Sequence, residues 1–246
     1  MPAVAGAKEH QRRVEEPGAP ERQGAGPRSD HGVREQAQGS RYGAHMGTLS
    51  RSGTRSNLEP MREEQIRAAT VGELRVHGGP IELVDYDPAW PSGFAREARR
   101  IAVALGERAL GIEHVGSTSV PGLAAKPIID ILLVVADSAH EESYVPALEA
   151  AGYVLRIREP DWYEHRMFKS PESDVQVHVL TKGCPEIERM LAFRDRLRGN
   201  RDDRELYGRT KRELAGRDWR YVQNCADAKG ALIEEIISRG RPSAGA

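Results

Sequence analysis

The chain has 246 residues, 30% of them charged, yet its formal net charge is −1, so no global field draws it to nucleic acid or to an anionic membrane. No apolar run reaches the ~18 residues of a bilayer span, and the first residues lack the apolar core of a signal peptide. Two cysteines, Cys184 and Cys225, stand far apart and outside any CxxC pair, which reads as a reduced, cytoplasmic protein without a disulfide.

Residues 1–57 are rich in Gly, Arg, Gln, Glu and Ser, with Tyr42 as the single aromatic. Such a composition cannot bury enough apolar surface to offset chain entropy, so the segment reads as a disordered tail in which His31 and His45 have no ligand-like partners. A regulatory or localising tail is the competing reading, and Met46 offers a second start codon.

Periodicity begins at Leu58. Pro60 and the following MREEQIRAA read as a short helix with proline in its first turn. Residues 81–84 read as a strand closed by a turn at 85–88. Trp90, Phe94, Ala98, Ile101 and Leu105 recur at helical spacing, with Gly106 or Gly111 as the stop. Residues 112–115 form a short predicted strand. The nearly continuous apolar run at 128–135 is what a central strand covered on both faces needs. Residues 143–151 read as a helix, with Gly152 suited to its C′ position. Strands are expected at 153–157, 166–169 and 175–180, then helices near 185–198, 203–215 and 219–238. Strands alternating with helices before an all-helical end predict one α/β (α+β) domain over 58–240: a mixed β-sheet flanked by helices, with a C-terminal helical subregion. Residues 241–246 read as a disordered end.

The chemistry concentrates in HVGSTSVPGLAAKPIIDILL, residues 114–133. Gly116 lets main-chain amides turn toward a ligand and Ser117 adds a donor. Successive amides there make an anion-binding concavity that Thr118 and Ser119 enrich, although a plain strand-to-loop turn is the alternative. Asp130 lies inside the apolar run, with twelve residues between it and Ser117. Charges rarely sit in such runs unless paired or metal-bound.

A Gly-Ser turn, this spacer, and then an aspartate on a strand resembles the nucleotidyltransferase superfamily. There the turn holds nucleotide phosphates and a D-x-D pair binds Mg²⁺, because positions i and i+2 face one side. Here Leu132 takes the second acid's place, and His178, outward with Gln176 on the strand at 175–180, stands where a third ligand comes. The longer match of HVGSTSVPGLAAKPIIDI, YDPAWP and FRDRLR resembles the GrpB family, a nucleotidyltransferase-like group, from about Met61 to about Ile237. The resemblance implies a nucleotidyltransferase-like fold. It also implies a nucleotide or other phosphorylated small molecule at the Gly-Ser turn, and nucleotidyl or phosphoryl transfer with Asp130 and His178 as catalytic candidates. Mg²⁺ at Asp130 is the implied cofactor. In some actinobacterial proteins a domain of this family is joined to dephospho-CoA kinase, but this chain has no GxxxxGK[ST] loop, so kinase activity is not expected. Leu132 favours the alternative: a non-catalytic phosphometabolite binder, or a partner-binding accessory domain with a degenerate site.

The C-terminal helices add cations. Arg194 falls on the stripe of Ile187, Met190, Leu191 and Leu197. Lys211 lies one turn from Tyr207, and Lys229 interrupts the stripe of Val222, Cys225, Ala226, Leu232, Ile233 and Ile236. An inward cation needs an anionic partner, so these side chains, with Lys126 before the strand, are expected to clamp phosphates opposite the turn. The plainer alternative is snorkelling, or pairing with Asp195, Asp227 or Glu234. His114, on the face opposite Val115, and His178 are either ligand-facing or hydrogen-bonded core residues. His165, beside Trp162 and Tyr163, either stacks on a base or helps cover the sheet.

Overall fold

The computed structural model describes residues 60–77, 80–170 and 174–240; the expected tail at 1–57, with His31 and His45, and the expected end at 241–246 lie outside the described residues. β1 (Gly111–Val115) runs antiparallel to β2 (Ile129–Val135), and β2 pairs in parallel with β5 (Val175–Thr181). β4 (His165–Lys169) and β3 (Val154–Glu159) extend the sheet antiparallel beyond β5. The order is β1-β2-β5-β4-β3, so the mixed sheet is present and β5, not β2, takes its middle.

Alternation along the strands sends side chains to two different covers. Ile131, Leu133 and Val135 join Val175, Val177 and Val179 on one face. That face is covered by α2 (Trp90–Leu105), through Phe94, Ile101 and Leu105, and by α3 (Val145–Ala150), through Leu148. On the other face Val115, Leu132 and Leu180 pack under Ile187, Met190 and Leu191 of α4 (Pro185–Gly199). β2 is thus covered on both sides, each fully buried aliphatic side chain contributing on the order of 2 kcal/mol. α2 stops at Gly106, whose φ of +56° suits glycine alone. α5 (Arg201–Ala215) starts one residue after α4, where the Asn200 side chain accepts the Asp203 amide at 2.9 Å.

Three expectations need correction. The 81–84 segment is no strand of the sheet: Val84 makes a single antiparallel bridge to Ala125, because Ile81 and Leu83 are drawn into an apolar cluster with Leu214 and Cys225. The first helix, α1 (Glu63–Ala69), begins only after Arg62. Pro60 precedes it because Met61 is held by Asp227 Oδ2 at 2.8 Å and by Asn224 Nδ2 at 2.8 Å. Finally, the single helix expected at 219–238 is two, α6 (Val222–Asp227) and α7 (Gly230–Gly240). Lys229 lies in the turn between them, where its Nζ donates to Cys225 O at 2.5 Å and closes the end of α6.

Candidate functional site

The Gly-Ser turn ends β1. Gly116 has φ +68° and ψ −173°, and a Cβ there would come 2.1 Å from Asp130 Oδ2. Only glycine serves, first for its backbone angle and again because the Asp130 carboxylate lies flat against it. The expected open cradle is narrower than the sequence suggests. Residues Ser117–Ser119 form a tight 3₁₀ turn in which the Ser119 and Val120 amides bond to Gly116 O and Ser117 O. Thr118 is buried, its hydroxyl donating to Ile128 O at 3.0 Å and touching His114 Nε2 at 3.1 Å. The Ser119 hydroxyl donates to Gly116 O at 2.6 Å. Both are structural, which leaves Ser117 as the half-buried hydroxyl of the turn, within hydrogen-bonding reach of buried Tyr207 on α5.

Strand register carries Asp130 into a line of groups. β2 pairs with β5 and β5 with β4, so Asp130, His178 and His165 project from one face. Asp130 Oδ1 lies 3.6 Å from His178 Nε2, His178 Nδ1 lies 3.1 Å from His165 Nε2, and His165 Nδ1 lies 2.7 Å from Glu159 Oε2. Burial pulls the His165 imidazole below its ordinary range, although Glu159 opposes this, so the ring is neutral at pH 7. A carboxylate can only accept, so His165 carries its proton on Nδ1 and presents a bare Nε2. His178 must then donate from Nδ1. Its own Nε2 faces Asp130 at 3.6 Å, at the edge of the turn.

Two lysines feel the same carboxylate, and a third feels the lysines. Lys211 is buried; its Nζ donates to Ala124 O at 2.7 Å and sits 5.7 Å from the centre of the Tyr207 ring. Burial, and then Lys229, push its ammonium down to about 7, while Asp130 works in the opposite direction. Lys126 is lowered by burial and then by Lys169, again against Asp130. Lys229 is lowered by burial, with Lys126 adding to the effect and Cys225 and Asp227 opposing it. Three lysines on separate elements thus feel one another, Lys126 and Lys211 against Asp130 and Lys229 against Asp227.

Arg194 goes elsewhere. Its guanidinium pairs with Glu113 at 2.8 Å and with Asp195 at 2.7 Å, and it donates to His114 O at 3.2 Å, so the plainer reading of an edge residue paired with Asp195 describes it. Leu132 is wholly buried under α4, which explains why no second acid stands there. Among the described residues no group of three or more His, Cys, Asp and Glu side chains is arranged to hold a metal, so the residues present do not by themselves make the expected Mg²⁺ site at Asp130. His114 is a packing residue: it stacks on Phe94 at 4.8 Å, and burial, then Arg198, hold it down at about 4. Sequence reasoning missed Glu159 and the meeting of His165 with His178. His165 does meet Trp162, edge-on at 5.2 Å, but its ring nitrogens belong to Glu159 and His178. The one available signal was a histidine at an alternate position of a strand that could pair with His178.

The family model described as GrpB protein matches residues 80–239. The chain is 59% identical to UPF0157 protein BH1888 of Halalkalibacterium halodurans, over 75% of this chain and 94% of that one. It is 47% identical to UPF0157 protein SCO7215 of Streptomyces coelicolor, over 70% and 93%. A dephospho-CoA kinase of Mycolicibacterium paratuberculosis is 34% identical over 61% of this chain and 43% of its own length. Among solved structures, the conserved protein GrpB from Enterococcus faecalis superposes with a TM-score of 0.57 at 34% identity, covering 65% of this chain and 96% of that one.

Proposed function

Because this chain belongs to the GrpB family and brings Lys126, Lys211 and Lys229 close to one another beside the turn, we infer that it binds a nucleotide or another phosphorylated small molecule between the Gly-Ser turn and the lysine cluster. The observation that carries this reading is the set of Lys126, Lys211 and Lys229. All three are pulled below the usual ammonium range by burial, with a neighbouring lysine adding to the effect for each. Positive charge crowded in this way is relieved by an anion. Ser117 and the first amides of its turn supply neutral donors on the opposite side.

The line from Glu159 through His165 to His178 favours phosphoryl or nucleotidyl transfer over binding alone, since it orients the His178 imidazole with its Nε2 at the edge of the turn. In that reaction an acceptor hydroxyl oxygen forms a bond to phosphorus as the bridging phosphorus–oxygen bond breaks. The hydroxyl proton passes to His178 Nε2, and the lysines take up charge on the departing phosphate. Glu159 and His165 position the base and do not touch the ligand. Buried Leu132 is the observation that favours the second reading, a binding domain without turnover.

Calorimetric titration of the full chain with ATP, GTP and coenzyme A, with and without Mg²⁺, tests both. Micromolar binding of any of them that Lys211→Met weakens at least tenfold is expected. Turnover abolished by His178→Ala favours transfer, and binding unchanged by Lys211→Met overturns the site.

A further inference from the structure

Away from the lysine cluster, the approach to α2, the edge strand β1 and α4 enclose an open cleft of about 670 Å³. Its lining combines apolar surface from Tyr86, Phe94 and Pro121 with the side chains of Arg194, Arg198 and Arg204. Glu113 is the carboxylate on its wall, and Arg194 already holds it at 2.8 Å. His114 also lines the cleft and adds no charge at neutral pH, since burial, then Arg198, hold it at about 4.

Arg194 is matched by two carboxylates, but its neighbours are not. Among the described residues the carboxylate nearest Arg198 is Asp195 at 3.6 Å, through an oxygen that Arg194 holds at 2.7 Å. Arg198 otherwise donates to Ser119 O at 2.9 Å. Arg204 donates to two main-chain carbonyls, Leu197 O at 2.9 Å and Arg198 O at 3.2 Å. Three guanidinium groups therefore share one lining carboxylate. Burial, and then Arg194, draw Arg198 below the usual guanidinium range, as expected where cations crowd without enough acid.

We propose that this cleft is a second ligand site, taking a small organic anion whose phosphate, sulfonate or carboxylate lies at Arg198 and Arg204 while a flat apolar body lies against Tyr86 and Phe94. Guanidinium forks match tetrahedral and planar oxyanions, and ligand sites pair an apolar wall with a few placed polar groups. The Phe94 ring is held in place by its stack on His114 at 4.8 Å, so the apolar wall is preformed. This assignment does not depend on the lysine site, and the two fail separately.

The test is an NMR titration of the full chain carrying Lys211→Met, which silences the lysine site, with phenyl phosphate, benzoate, inorganic phosphate and benzyl alcohol as probes. Phenyl phosphate is expected to bind at least tenfold more tightly than inorganic phosphate or benzyl alcohol, with contacts from its ring to Phe94 and Tyr86. Benzoate in place of phenyl phosphate then reports whether the headgroup is a carboxylate or a phosphate. Adding Arg198→Met is expected to weaken the preferred probe at least fivefold. Pro121→Glu, an exposed position that needs no repacking, is expected to do the same if the arginine variant fails to fold. The proposal is overturned if neither substitution changes the affinity, if neither aryl anion binds better than inorganic phosphate, or if the probe contacts rings other than Phe94 and Tyr86. Unaltered phosphate binding in Lys211→Met alone overturns the lysine site and leaves the cleft standing.

Discussion

At Gly116 two constraints act on one atom that is not there. A side chain would meet the Asp130 carboxylate and would also occupy a backbone region open to glycine alone. Gly116→Ala is therefore expected to lower stability by at least ~2 kcal/mol in denaturant unfolding. Adding Asp130→Ala should recover the steric share and not the backbone share; full recovery would mean that the φ angle carries no strain. Lys211 gives a prediction in pH. The unfolded lysine keeps its proton into the ordinary ammonium range, while the folded one releases it at about 7. Between those values the unfolded state binds more protons, so stability rises with pH, and the cost of the buried cation is fully present below 7. Anion binding runs the other way. Sulfate, whose charge is constant here, is expected to bind more weakly as pH rises from about 6 to about 9, and Lys211→Met should flatten the profile. A profile that is already flat in the parent chain contradicts the role given to Lys211.

At the scale of elements, four strands assemble what no single one contains. Glu159 closes β3, His165 opens β4, His178 lies within β5 and Asp130 within β2. The chain of donors assigns both imidazoles the Nδ1–H form, a state that long-range ¹H–¹⁵N spectra read directly. Glu159→Ala removes the acceptor that selects it, so the Nε2–H form of His165 should grow and His178 should lose its fixed orientation. Finding no proton on His178 Nδ1 in the parent protein would refute the relay. α4 works in a comparable way, since one helix buries Leu132 on its inner stripe and hands Arg194 and Arg198 to the edge of β1.

Over the whole molecule, the C-terminal helices are joined through one buried carboxylate. Asp203 on α5, 2% exposed, accepts from Arg196 on α4 at 2.6 Å and from Arg239 on α7 at 2.6 Å. Both arginines are partly solvated, so Asp203→Ala is expected to cost ~2 kcal/mol, less than breaking a fully buried pair. Thermal unfolding should report a loss of roughly 4–8 °C for a domain of this size. Because the lysine site draws Lys126 from a loop, Lys211 from α5 and Lys229 from the α6–α7 turn, the same variant is expected to weaken phosphate binding as well. No helix among the described residues is long and apolar enough to cross a membrane.

How much was legible follows from how local each feature is. The strand expected at 128–135 was readable from its apolar run and lies within a residue of Ile129–Val135, the stop of α2 was narrowed to Gly106 or Gly111, and Asp130 stood out from the aliphatic residues around it. These depend on neighbours within a few positions, where backbone sterics and burial act directly. The convergence of Lys126, Lys211 and Lys229, the departure of Arg194 to Glu113 and Asp195, and the meeting of His165 with His178 depend on register and helix packing. Those join residues tens of positions apart, and a one-residue slip of β4 against β5 would turn His165 to the opposite face. The amino-acid sequence by itself determined that a glycine turn and an acid within an apolar strand exist. The packing of β4 on β5 and of α5 beside the α6–α7 turn decided what faces them, because only long-range apolar burial sets that register.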